Sequence, residues 1–209
     1  MKVKIKICGI NDEKSASASK GADYIGLVFY KKSPRYINIS LAKRIINKLD
    51  KNQTKVGLFV NHKIKYIEQI SKDLNLDIIQ LHGNEDTKYI YEIKKKISIP
   101  IIKAISIKTK KDIKISQEFK NFCDMILFDT KVNENTFGGS GVSFDWKILE
   151  GFKYNKQWII AGGLNISNIK KAIKITNAPI VDLSSGVEDK VGVKSEIKIK
   201  ELIKYVKNL

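Results

Sequence analysis

The chain has 209 residues, a length that fits one domain, and a formal net charge of +17. It contains no run of about 18 apolar residues, and its charged, alternating start has no signal-peptide core, which argues against a membrane span or a secretory leader. Its two cysteines, Cys8 and Cys123, form no disulfide framework and predict a cytoplasmic protein.

The positive charge does not by itself indicate a nucleic-acid partner. Of the 39 basic residues only Arg35 and Arg44 are arginines, and the lysines are spread along the whole chain. Proteins that read nucleic acids concentrate their charge and use arginine for bidentate contacts. We therefore expect solvated lysines that steer an anionic substrate and no specific nucleic-acid partner. A basic RNA-binding module is the alternative from a different class of protein.

Short apolar runs alternate with helical patterns along the chain. The predicted strands are Val3–Cys8, Asp23–Phe29, Lys55–Val60, Asp77–Leu81, Pro100–Ile105, Asp124–Phe128, Gln157–Ala161 and Pro179–Leu183. The predicted helices are Glu13–Lys20, Leu41–Leu49 capped by Ser40, Lys63–Leu74, Asp86–Lys96, Lys110–Asn121, Asp145–Glu150, Ser167–Thr176 and Lys194–Lys207. A glycine-rich loop, Lys131–Val142, follows the sixth strand.

This alternation requires parallel strands joined by right-handed crossovers. An open doubly wound sheet is the competing architecture, but it usually places its glycine-rich loop after the first strand. Here the loops suited to phosphate follow strands seven and eight, as they do in barrels. The sequence therefore predicts an α/β protein with a single (β/α)8 TIM barrel over residues 1–209.

Polar or glycine residues follow the apolar run in several units. The motifs are KICGI (Lys6–Ile10), QLHG (Gln80–Gly83), LFDT (Leu127–Thr130), AGGLN (Ala161–Asn165) and VDLSSG (Val181–Gly186). Because the carboxyl ends of parallel barrel strands share one face, these motifs predict a single active-site face.

Two of these loops suit a phosphate group. Gly162 and Gly163 follow strand seven, and Ser184 and Ser185 follow strand eight. Glycine lets a ligand approach the backbone closely, and successive N–H groups form an anion-binding nest. A short helix after Ser185 would add its positive end. Two ordinary tight turns are the alternative, but adjacent loops at these positions favour phosphate.

Cys8 and Asp129 are the candidates for proton transfer. A cysteine after an apolar run is commonly a small buried hydrophobe, but a thiol at the barrel rim acts as a base if cationic surroundings lower its pKa. Asp129 follows four apolar residues, where a carboxyl group is costly to bury unless it is paired or protonated. Capping of the next loop is its alternative role. A proton donor and an acceptor across a barrel mouth predict an isomerisation.

Arg35 stands out in a chain that otherwise uses lysine, and its planar fork suits a carboxylate. His82 and Asp182, at strand ends, support either the site or local hydrogen bonding. Arg44 is expected on a solvated helix face, Cys123 in a structural role, and His62 has no assigned function. The sequence shows no metal-ligand spacing and no nucleotide-cofactor motif.

At this point the chain closely resembles the phosphoribosylanthranilate isomerases of tryptophan biosynthesis. The matching segments, in order, are KICGI, GLVFYKKSPRYI, VGLFVN, IIQLHGNED, FDT, GGSGVSFDW, AGGLN and VDLSSGVE, which extend from Lys6 to Glu188. Asn11 stands where the family usually has threonine. Val132–Phe137 looks like a variable loop, and Ser106–Asn121 matches poorly.

The resemblance implies an Amadori rearrangement of N-(5-phosphoribosyl)anthranilate without a cofactor. It implies that Asp129 is the general acid, that Cys8 is the base and that Arg35 holds the anthranilate carboxylate. The phosphate would be bound by Gly162, Gly163, Ser184 and Ser185, with His82 and Asp182 as further site residues. Another phosphosugar isomerase or epimerase on the same barrel is the alternative, and the chain is expected to act as a monomer or homodimer.

Overall fold

The computed structural model describes residues 2–130 and 144–209. Its core strands are β1 Lys4–Cys8, β2 Tyr24–Val28, β3 Thr54–Phe59, β4 Ile78–Leu81, β5 Ile101–Ile107, β6 Met125–Thr130, β7 Trp158–Ile160 and β8 Ile180–Leu183. The helices are α1 Glu13–Ala18, α2 Ile39–Ile46, α3 Ile64–Leu74, α4 Thr87–Lys94, α5 Lys110–Glu118, α6 Ile169–Thr176 and α7 Glu196–Lys207. The predicted glycine-rich loop, Lys131–Val142, lies outside the described residues.

The eight strands form a closed parallel barrel in sequence order, and β1 pairs with β8. This pairing excludes the open sheet and confirms the predicted TIM barrel. No helix in the described residues is both long and apolar enough to cross a bilayer.

Two apolar layers hold the barrel together. The larger layer lies between the sheet and the helices, and a smaller cluster fills the barrel interior. The buried members of the interior cluster are Tyr24, Val56, Ile78, Ile102, Ala104, Leu127, Ile159, Ala161 and Ile180. Inward-facing side chains from every second strand position are expected of a parallel barrel, whose interior is a packed core.

Local capping residues define the helix starts, and the cap of α2 differs from the predicted one. The side chain of Asn38, and not Ser40, accepts a hydrogen bond from the Leu41 N–H at 2.9 Å and caps α2. Ser40 was therefore wrong as the cap, because the helix starts two residues earlier than predicted. The segment predicted as a helix at Asp145–Glu150 is a 3₁₀ turn, Trp146–Leu149.

A small antiparallel hairpin, absent from the predicted elements, follows β8. It consists of β9 Glu188–Lys190 and β10 Val193–Lys194. The last helix was predicted to begin at Lys194, but this residue belongs to β10 and the helix begins at Glu196.

Replacing Lys103 by methionine should lower the free energy of unfolding by about 3–5 kcal/mol, because the buried carboxylate of Glu85 would lose its cation. The two side chains are 5% and 1% exposed, and their charged atoms lie 2.9 Å apart. Urea unfolding followed by circular dichroism measures the loss. The matched control is Lys95→Met, which removes an exposed pair with Glu92 and should leave the unfolding midpoint unchanged. Equal losses in the two variants would contradict the argument.

Candidate active site

The carboxyl ends of the strands surround a cavity of about 760 Å³, a volume that includes the solvent space at its open mouth. All nine site residues predicted from the sequence line this cavity, although they come from six different strand ends and loops. They are Cys8, Arg35, His82, Asp129, Gly162, Gly163, Asp182, Ser184 and Ser185. The barrel topology therefore brings the predicted residues together.

Cys8 is the last residue of β1, and 7% of it is exposed. Its register partner on β2 is Gly26, where an added Cβ would lie 2.8 Å from the Cys8 sulfur. Gly26, which sequence reasoning missed, therefore leaves room for the thiol. Burial raises the pKa of Cys8, although the charges of Lys6 and Lys194 oppose this shift. The condition that cationic surroundings lower this pKa is not met, because burial outweighs them.

Lys6 is a site residue that the sequence reasoning missed. It is fully buried, and its Nζ lies 2.7 Å from Oδ2 of Asp182, its register partner across the β1–β8 seam. Burial lowers the pKa of Lys6, but the Asp182 carboxylate and the Cys8 thiol together outweigh it, so the net shift is upward; burial also raises the pKa of Asp182, against the opposing charge of Lys6. The alternation of side chains along β1 could have indicated Lys6 as a site residue. Lys6 lies two residues before Cys8, so both side chains project from the same face of the strand.

One oxygen of Asp182 has no hydrogen-bond partner among residues 2–130 and 144–209. Its Oδ2 accepts from Lys6, whereas its Oδ1 is buried and has no hydrogen bond among the described residues. A buried acceptor without a partner is costly, so this atom is well placed to receive a hydroxyl group of a ligand in the cavity.

Asp129 lies within β6, which extends two residues further than predicted. Its Oδ1 accepts a hydrogen bond from the Thr130 N–H at 2.8 Å, and its Oδ2 lies 3.3 Å from Nε2 of His82. Nδ1 of His82 lies 2.9 Å from Nε2 of Gln80, a fully buried amide. With the amide in this orientation, Nδ1 accepts from Gln80, and the ring proton on Nε2 faces Asp129.

The loop after β7 depends on glycine. Gly162 and Gly163 have φ values of 86° and 64°, in the left-handed region that other residues rarely adopt. A Cβ added to Gly162 would lie 2.2 Å from Oγ1 of Thr130 and 2.9 Å from Oδ1 of Asp129. This loop therefore passes directly over the end of β6 and over the candidate acid.

The loop after β8 packs against the loop after β7. A Cβ at Gly186 would lie 1.9 Å from the carbonyl oxygen of Leu164, so only glycine permits this approach. The predicted short helix is a single 3₁₀ turn, Ser185–Val187. Within residues 2–130 and 144–209, no acceptor is bonded to the backbone N–H groups of Gly162–Gly163 or Ser184–Ser185. These four donors can bind an anion such as phosphate.

Arg35 is 5% exposed and its guanidinium forms a bidentate pair with Glu188, with Nε–Oε1 and Nη2–Oε2 distances of 2.7 and 2.8 Å. Nζ of Lys194 lies 2.8 Å from Oε1 of the same carboxylate. Burial raises the pKa of Glu188, but hydrogen bonds from Arg35 and Lys194 bring its net pKa below the ordinary value. Glu188 lies in the VDLSSGVE segment, but no local signal linked it to Arg35.

The residues expected to have no catalytic role do not line the cavity. Arg44 pairs with Glu13 on the surface. Cys123 is buried, and burial raises its pKa to about 11. His62 stacks on Tyr66 and accepts a hydrogen bond from the Val60 N–H. In the described part of the chain, no three His, Cys, Asp or Glu side chains group to hold a metal ion.

A family model and curated relatives that match this chain carry the same description. The family model described as N-(5'phosphoribosyl)anthranilate (PRA) isomerase matches residues 5–205. The N-(5'-phosphoribosyl)anthranilate isomerase of Thermoanaerobacter sp. is 40% identical over 209 residues, covering 99% of each chain.

Solved structures agree with this comparison. A phosphoribosylanthranilate isomerase in complex with reduced 1-(o-carboxyphenylamino)-1-deoxyribulose 5-phosphate has a TM-score of 0.86 and 34% identity, covering 99% of this chain and 100% of that one. The mutually generated monomers of the dimeric Thermotoga maritima isomerase have a TM-score of 0.85 and 35% identity, with the same coverage.

Because burial raises its pKa, the Cys8 thiol should be neutral at pH 7 and should lose its proton only above the ordinary pKa of a cysteine. The ultraviolet absorbance of the thiolate, followed against pH in a Cys123→Ala protein, measures this titration. A Cys8→Ala/Cys123→Ala protein supplies the background. A midpoint below that of cysteine in the urea-unfolded protein would contradict the prediction.

Proposed function

The chain belongs to the N-(5'-phosphoribosyl)anthranilate isomerase family, and we propose that it converts N-(5-phosphoribosyl)anthranilate into 1-(2-carboxyphenylamino)-1-deoxyribulose 5-phosphate in tryptophan biosynthesis. The observation that carries the proposal is the convergence in one cavity of a thiol, a carboxyl group, an arginine and two loops whose N–H groups have no acceptor among the described residues. These groups match the proton transfers, the carboxylate and the phosphate of this reaction.

Ring opening is the first step. Asp129, in its protonated form, would donate its proton to the ribose ring oxygen. The bond between that oxygen and C1 breaks as the nitrogen lone pair forms the C1=N bond of a Schiff base. The contact of His82 Nε2 with Oδ2 supports this role for Asp129, because it holds the carboxyl group in one orientation.

Transfer of the C2 proton is the second step. The thiolate of Cys8 would remove this proton, and the electron pair forms the C1=C2 bond of an enolamine. The enol oxygen then loses its proton and C1 gains one, which gives the ketone. Because the substrate nitrogen accepts the electrons, no cofactor is required. The charges of Lys6 and Lys194 support thiolate formation, because both oppose the effect of burial on the pKa of Cys8.

Substrate binding would use the remaining groups of the cavity. The N–H groups of Gly162–Gly163 and Ser184–Ser185 would bind the phosphate, and Arg35 would meet the anthranilate carboxylate. Oδ1 of Asp182 would accept a hydrogen bond from a sugar hydroxyl, since it has no partner among the described residues.

We also propose that residues 1–209 act as one catalytic domain, as a monomer or homodimer in the cytoplasm. The barrel, which extends from β1 to β8, and its two free buried cysteines support this setting.

The purified protein should remove the fluorescence of freshly generated phosphoribosylanthranilate much faster than the spontaneous reaction. Cys8→Ala and Asp129→Asn should each lower kcat by about 10²–10⁴-fold, because each removes one proton-transfer group. Cys123→Ala is the matched control and should retain turnover, since that cysteine does not line the cavity. Circular dichroism verifies the folding of each variant.

Absence of turnover by the folded wild-type protein would contradict the proposed function and leave a barrel for another phosphosugar. Turnover by the wild type together with near-normal turnover by either active-site variant would contradict only the role of that residue.

Arg35→Lys should raise KM about tenfold or more, because a point charge replaces a planar fork that holds both Glu188 and the substrate carboxylate. Its effect on kcat should be smaller, since Arg35 transfers no proton. Arg44→Lys, at the other arginine of the chain, is the control and should leave KM unchanged. Steady-state kinetics distinguishes the two, and an unchanged KM in Arg35→Lys would mean that Arg35 binds no carboxylate.

A further inference from the structure

The Glu188 carboxylate is almost completely enclosed by hydrogen-bond donors. Oε1 accepts from Nε of Arg35 and Nζ of Lys194, and Oε2 accepts from Nη2 of Arg35 and the N–H of Gly192. The four distances lie between 2.7 and 3.1 Å, and the side chain is 4% exposed. Glu188 does not line the cavity, so it acts on a ligand only through its partners.

The two cations that Glu188 binds connect it to two different loops of the cavity wall. Arg35 lines the cavity after β2, where the carboxylate would bind. Lys194, whose side chain is fully buried, donates to the carbonyl oxygen of Ser184 at 2.9 Å and to its hydroxyl oxygen at 3.2 Å. A single carboxylate therefore connects the arginine to one of the proposed phosphate-binding residues.

The hairpin formed by β9 and β10 provides the geometry for this connection. Glu188 is in β9 and Lys194 is in β10. The turn between them contains Gly192, where an added Cβ would lie 2.7 Å from the carbonyl oxygen of Pro34. The hairpin thus packs against the loop that carries Arg35 and also supports the loop after β8.

The negative charge of Glu188 lies between two buried cations, Arg35 and Lys194. Without its negative charge, two buried cations would face each other with no carboxylate between them. Burial, and to a smaller extent the charge of Arg35, already lowers the pKa of Lys194, and Glu188 opposes both effects. The carboxylate is therefore needed to hold both cations in place at the same time.

We propose that Glu188 is a positioning residue that fixes Arg35 and the Ser184 loop at a set separation, so that the site selects substrates carrying a carboxylate and a phosphate at matching distance. This proposal rests on the proposed function. It adds a residue that touches neither substrate nor reacting atoms but determines how well both ends of the substrate are bound.

The test compares steady-state kinetics of the wild type with Glu188→Gln, Lys194→Met and the double variant. Glu188→Gln should raise KM about tenfold or more, while kcat changes only a few-fold, because Cys8 and Asp129 are untouched. The KM increase in the double variant should be smaller than the product of the two single increases, because both residues act through one network. Asp189→Asn, at an exposed neighbour in β9, is the matched control and should leave KM unchanged.

Glu188→Asp keeps the charge while shortening the side chain, and it serves if Glu188→Gln does not fold. It should also raise KM, since the shorter carboxylate cannot hold Arg35 and Lys194 together. A role in stability alone would lower the melting temperature and leave the KM of the folded protein unchanged.

An unchanged KM in the folded Glu188 variants would overturn the proposal, and so would a multiplicative effect in the double variant. Both outcomes leave the proposed function intact, because the wild type still turns over its substrate. Absence of wild-type turnover would instead overturn the proposed function and this proposal with it.

Discussion

The pairing of β1 with β8 is the constraint on which the rest of the structure depends. It closes the sheet and brings Lys6 against Asp182, although 176 positions separate them in the chain. Closure removes the two sheet edges and turns all eight carboxyl strand ends toward a single rim. Without it, the polar residues that follow each strand would be spread along an open edge, and no enclosed cavity would form.

Buried charges around this rim position groups more than they add stability. In the described part of the chain, three sets of buried cations and carboxylates connect distant segments: Lys6 with Asp182, Lys103 with Glu85, and Glu188 with Arg35 and Lys194. Desolvation offsets much of the attraction in such pairs, whereas loss of one partner leaves an uncompensated charge. Each pair therefore holds its side chains in one arrangement. A site that orients a flexible phosphosugar needs such fixed groups. Among the residues that the structure describes, only three lysines of this lysine-rich chain are buried.

In its environment, Cys8 would have a strongly basic thiolate, but only a small fraction of the cysteine would be in the thiolate form. Burial favours the neutral thiol, and the nearby cations favour the thiolate. A thiol with a raised pKa is less often ionised, but its thiolate accepts a proton more readily. Gly26 gives the sulfur the space it needs, so the chemistry of this residue depends on a neighbouring strand as much as on its own sequence.

The sequence by itself determined the barrel, the approximate strands and nine of the residues that line the cavity, because strand length, glycine positions and the order of polar residues after apolar runs are local signals. The parallel barrel topology, which is itself predictable, then places those residues on one face. Only the tertiary structure decided the partners of the charges, such as Glu188 for Arg35 at a separation of 153 positions. It also decided that burial outweighs the cations around Cys8, and that a hairpin precedes the last helix. Long-range hydrogen bonds and desolvation depend on which side chains the fold brings together, and no local pattern encodes that.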